Sequence, residues 1–218
     1  DWSGQAVARP KGLALAIAGP GTEAPLLQTR DRGWSRADVL DWIADLAARN
    51  VPALIGIDLS PALPFVDAGA YFPGWSETPG DATALWQLVE HLCAADEHMS
   101  GNGVVRHPEA KRHFRLHGDC GDLFPGGVGR MRVCEHAQRE MGLSPTSCFN
   151  LVGASQVGKS SLTGMRVLHR LRGRVPVWPF DPVPEGGPLI VEIYTTIAAR
   201  AAGLRHAVAG TCGFSFKS

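Results

Sequence analysis

The sequence predicts one α/β domain in which a mixed sheet is flanked by helices. Three observations carry that expectation. A capped amphipathic helix over residues 35–50 runs directly into the apolar segment Val51–Leu59, and helix followed by apolar strand is the unit of an α/β layer. Two further short apolar segments, Val175–Phe180 and Leu189–Tyr194, have the length and β-branched content of strands. The 218 residues carry 21 basic and 21 acidic side chains and are 44% hydrophobic, enough to bury one sizeable core.

The elements follow in order. Lys11–Ala18 is apolar, stops at Gly19-Pro20-Gly21 and reads as a strand, and Leu26–Thr29 as another. Ser35 and Asp38 have capping-box spacing ahead of Val39, Leu40, Ile43 and Leu46, which share one helical face. Val51–Leu59 is continuously apolar, as expected of a strand buried on both faces. Residues 60–80 are too rich in proline, glycine and aromatics for a helix. Asp81 then caps a helix expected to reach Ala95. Residues 99–128 lack periodicity and are expected to form an insertion or flap. A helix over Gly129–Met141, a strand over Cys148–Val152, a helix over Ser160–Leu171 and a last helix over Thr195–Ala202 complete the reading.

Zero net charge gives no case for strong non-specific binding to nucleic acid or membrane. No apolar run is long enough for a membrane helix, and with no secretory pattern the expected location is the cytoplasm. The five cysteines are widely spaced without a CxxC pair, which fits reduced thiols. His113, His117, Cys120, Cys134 and His136 match no standard zinc spacing and are expected to be an ordinary solvated stretch.

Two constellations bear on chemistry. Gly153-Ala-Ser-Gln-Val-Gly158-Lys159-Ser160 fits the phosphate-binding loop pattern, in which backbone N–H groups and the lysine cradle phosphates and the hydroxyl ligates magnesium. The motif stands late in the chain, and the only Walker-B-like segment, Val177–Asp181, contains Pro179. A glycine-lined strand-to-helix turn is therefore the favoured reading, and a nucleotide-binding loop the alternative. The second constellation is acidic. Asp58 ends the clearest strand, Asp1 precedes a turn and Glu192 lies within PLIVEIY. Carboxylates placed at strand ends in separate segments suit a shared site for Mg2+ or Mn2+.

The order DWSG, KGLALAIAG, helix, LIGIDLSPALPF, followed by CFNLVGASQVG, LTGMRVLHRLR, VWPFD and VEIYTTIAARAAG, resembles a family of predicted nucleases with a ribonuclease-H-like fold (domain of unknown function 429). The resemblance spans most of the chain. It implies a single ribonuclease-H-like domain over residues 1–218, with the expected first strand falling ahead of Asp1. It also implies Asp1, Asp58 and Glu192 as metal-holding catalytic carboxylates and Glu135, in Arg130-Met-Arg-Val-Cys-Glu135, as a fourth. The family commonly has proline where Thr195 stands, so the turn after that strand is expected to differ. The implied activity is metal-dependent phosphodiester hydrolysis; a non-catalytic interaction module of the same fold is the other reading. Arg106, Arg112, Arg115, Arg166 and Arg170 are candidate phosphate contacts, and Trp2, Tyr71, Phe72 and Trp75 candidate stacking platforms.

Overall fold

The computed structural model describes residues 1–21, 23–152, 157–201 and 203. Among these, the fold is mixed α/β, with a parallel central sheet, two antiparallel hairpins and six α-helices.

The first hairpin pairs β1 (Leu15–Ile17) with β2 (Leu26–Gln28). Ahead of it, Asp1 and Ala14 exchange two backbone hydrogen bonds, the Asp1 amine donating at 3.0 Å and Ala14 N–H returning one at 3.2 Å. Helix α1 (Arg36–Ala48) forms where its capping box predicts: Ser35 accepts from the Asp38 N–H while Asp38 accepts from the Ser35 N–H. Its buried face is Val39, Ile43 and Leu46. The short connection to β3 (Ala53–Ile57) then begins the central sheet, whose order is β3-β7-β6, all parallel, with β6 at Val177–Trp178 and β7 at Pro188–Glu192.

Strand β3 is not buried on both faces, contrary to its apolar run. Leu54 is 73% exposed, and only Ile57 is fully buried. Hydrophobicity reports what a strand tolerates, whereas burial depends on whether another layer covers it. Strand β3 pairs only with β7 among the described residues, so one edge and one face lack a covering element.

Helix α2 (Ala82–Leu92), capped by Asp81, packs against α5 (Val157–Leu171). Helix α5 is the centre of the molecule, with Leu162, Met165, Val167, Leu168 and Leu171 all buried. The segment expected to be a flap is instead part of the core. It holds α3 (Asn102–Arg106), a 3-10 turn at Ala110–His113 and a hairpin of β4 (Arg115–Leu116) with β5 (Asp119–Cys120). Phe114 is fully buried, with its ring centroid 5.0 Å from that of Phe149 and 6.4 Å from that of Phe72. Aromatics spaced without period pack through contacts with distant elements, which periodicity does not reveal.

Two more boundaries differ. Cys148–Val152 forms no strand; Asn150 makes only an isolated bridge to Arg115. Helix α4 covers Val133–Glu140, a shorter span than expected, because glycines 126, 127 and 129 take positive φ ahead of it. Helix α6 spans Thr195–Ala201. No described helix is long and apolar enough to cross a membrane.

Candidate functional site

The parallel register of β3 with β7 sets Ile57 opposite Glu192, so Asp58 follows immediately at the C-terminal end of the sheet. Ligand sites of open parallel sheets lie at this end. Asp58 is half-buried, and its carboxyl is held above the usual carboxylate range. Burial is the main cause and the neighbouring Glu192 charge adds to it. A hydrogen bond from the Thr195 hydroxyl, at 3.3 Å, and the amino group of Asp1 pull the other way. Two of the four expected carboxylates, Asp58 and Glu192, thus interact at one sheet end, and Asp1 reaches Asp58 through its amino group.

Glu135 is joined through a residue whose role the sequence did not single out. Arg132 forks onto both oxygens of Glu192, at 2.8 and 2.6 Å, while its Nε donates to Glu135 at 2.9 Å. Glu135 is buried, its other oxygen accepting from the Arg132 backbone N–H at 2.8 Å. Burial opposes the Arg132 charge, but the hydrogen bonds and charges of Glu192 and the field of Glu135 outweigh it and raise the guanidinium's pKa. Cys148, also against Glu135, is pushed up to about 12, by burial first and then by that carboxylate. The signal for Arg132 was present as an Arg-x-x-Glu spacing at a helix start. Its second partner, 60 residues away, was not visible.

The donor set is carboxylate oxygen, which suits a hard cation. Magnesium is commonly held by one or two carboxylates completed by water and substrate phosphate, and Asp58 and Glu192 are the carboxylates at this sheet end. Among the described residues no group of three or more His, Cys, Asp or Glu side chains forms a cage. Of the stretch expected to be solvated, His117, Cys120, Cys134 and His136 are exposed, whereas His113 is buried. Glu192 spends both oxygens on Arg132, which leaves Asp58 as the more available donor.

The glycine-rich motif is partly outside the described residues, since Gly153 is not among them. Gly158 lies in the first turn of α5, and a Cβ there would sit 2.1 Å from the Cys148 carbonyl. A Cβ on Gly4 would sit 2.4 Å from that of Lys159, and the Ser160 hydroxyl donates to the Trp2 carbonyl at 3.4 Å. Residues 2–4 therefore lie against the first turn of α5, where the pattern would place a phosphate. The Asp181 carboxylate accepts from the Val177 N–H at 2.9 Å, a local turn.

The candidate phosphate contacts are largely engaged. Arg106 pairs with Asp96, Arg112 with Asp122 and Glu109, and Arg166 and Arg170 both with Glu90. Trp2, Tyr71, Phe72 and Trp75 are all buried, which removes them as stacking platforms. The Tyr71 ring packs on Phe65 and that of Trp75 on Phe72, and the Trp2 indole donates to the Thr163 hydroxyl.

Comparison with protein-family models, curated proteins and solved structures finds no match to this chain.

Proposed function

We propose that the protein is a phosphodiester hydrolase acting at the Asp58–Glu192 end of its parallel sheet. The observation that carries this reading is the meeting of Asp58 and Glu192 at one end of the sheet, with Glu135 linked to Glu192 through Arg132. The resemblance to ribonuclease-H-like nucleases names these three positions together with Asp1. Asp58 and Glu192, joined by Asp1 as the resemblance implies, are the residues that would hold Mg2+ or Mn2+. Such an ion, when bound, supplies a water-derived nucleophile and stabilises charge on the phosphodiester.

The chain's own groups have distinct tasks. Thr195 orients Asp58 through its hydroxyl. Arg132 fixes Glu192 and neutralises it, and Glu135 in turn holds Arg132. The raised Asp58 pKa follows from a carboxylate crowded by burial and by a second carboxylate.

A second reading, a non-catalytic module of this architecture, draws on the Arg132 fork. A guanidinium that satisfies both Glu192 oxygens already does the electrostatic work of a cation. One experiment separates the two. The purified protein and Asp58→Asn are incubated with single- and double-stranded DNA and RNA, with and without Mn2+. Cleavage that needs the metal and is lost in Asp58→Asn supports the hydrolase. A folded protein that cleaves none of these substrates supports the module.

A further inference from the structure

A cleft of about 440 Å3 opens at the start of α1, lined by Arg9, Arg36, Arg166 and Arg170 together with Ser35, His98 and one carboxylate, Asp96. We propose that this cleft binds a phosphate group of a phosphorylated ligand.

Arg36 carries the argument. Its residue is 1% exposed, and its hydrogen bonds go to the backbone carbonyls of Ser3, Gln5 and His98, with no carboxylate among them. Its Nε is buried without a hydrogen-bond partner among the described residues. A buried cation without a counter-charge is costly unless something supplies one. Burial, and then the nearby Arg166 charge, hold the Arg36 guanidinium down to about 10, which is the signature of a site short of negative charge.

The surrounding groups do not make up that deficit. Arg9 and Arg30 share Asp38, Arg166 and Arg170 share Glu90, and Asp96 is taken by Arg106 and the Gly103 N–H. Glu97 reaches only His98, at 3.7 Å. The positive end of the 13-residue helix α1 adds to the same field, with Ser35, Arg36 and Ala37 all at the cleft wall. His98 and Met99 at the rim both take positive φ, 56° and 52°, a conformation held by the surrounding structure. A phosphate brings the missing charge, and guanidiniums are matched to its oxygens in a bidentate fashion.

The cleft is tied to the carboxylate site by one segment. The amino group of Asp1 acts on Asp58, and two residues on, the Ser3 carbonyl accepts from Arg36. Phosphate binding here rests on arginines that the hydrolase reading does not use.

The test is calorimetric titration of the whole protein with pyrophosphate in the absence of metal. Saturable binding is expected, weakened about tenfold or more when Arg9→Gln and Arg170→Gln are combined. Both variants should stay folded, because Asp38 keeps Arg30 and Glu90 keeps Arg166. Asp58→Asn should bind pyrophosphate as the parent does, so failure of the hydrolase reading leaves this result standing. A single-stranded oligonucleotide without terminal phosphates that displaces pyrophosphate identifies the ligand as a nucleic-acid backbone; pyrophosphate bound but not displaced identifies a small phosphorylated molecule. No saturable binding up to about 10 mM, or equal affinity in the double variant, overturns the proposal.

Discussion

Replacing Arg132 with methionine tests the central electrostatic feature of the site. The substitution keeps most of the side chain's volume but deletes the guanidinium that binds Glu192 twice and Glu135 once. Glu135 suffers most, because it is 3% exposed and retains only the Arg132 backbone N–H and the Cys148 thiol as partners. Glu192, with its side chain 28% exposed, recovers part of its loss from water. Removing one partner of a buried ion pair costs about 3–5 kcal/mol, and the access of Glu192 to solvent puts the expected value near the lower end, about 3 kcal/mol. With a urea m-value of about 2 kcal/mol/M, the unfolding midpoint should fall by roughly 1.5 M. Adding Glu135→Gln to Arg132→Met removes the stranded charge and should restore roughly 1–2 kcal/mol, whereas Glu135→Gln alone should destabilise the parent. The reasoning is refuted if Arg132→Met loses less than about 1 kcal/mol, or if Glu135→Gln destabilises both backgrounds equally.

Two further outcomes follow from the structure. The raised Asp58 pKa means that the folded chain binds this proton more tightly than the unfolded chain does. Its contribution is therefore fully present below the unfolded carboxylate value, about 3.9, and is lost as pH rises through the folded value. Denaturation of Asp58→Asn and the parent across this range should show the variant gaining relative stability as pH increases; a constant difference would contradict the shift. Phe114→Ala should cost about 3–5 kcal/mol, because a fully buried ring leaves a cavity between Phe72 and Phe149. A melting temperature close to the parent's would return residues 99–128 to the status of a flap.

Local signals in the chain were strong where they were short in range. Ser35 and Asp38 lie three residues apart, and their reciprocal bonds define the start of α1 without help from elsewhere. Asp81 does the same for α2. Asp58 was legible because a carboxylate ending an apolar strand is costly unless it has a task. Leu54 and Phe114 were misjudged in opposite directions for one reason. A side chain's burial is decided by the layer opposite it, and no local pattern records whether that layer exists.

The sequence by itself determined the mixed α/β character, the starts of the capped helices α1 and α2 and the acidic positions worth testing, since capping, strand composition and the cost of a buried charge are properties of neighbouring residues. Only the tertiary structure decided what those residues meet. The β3–β7 register brings Asp58 to Glu192 across 134 positions of chain, Arg132 reaches Glu192 across 60, and Arg36 is left among carbonyls without a carboxylate. Charges interact through space rather than along the chain, so folding alone determined which of them were paired, crowded or left unmatched.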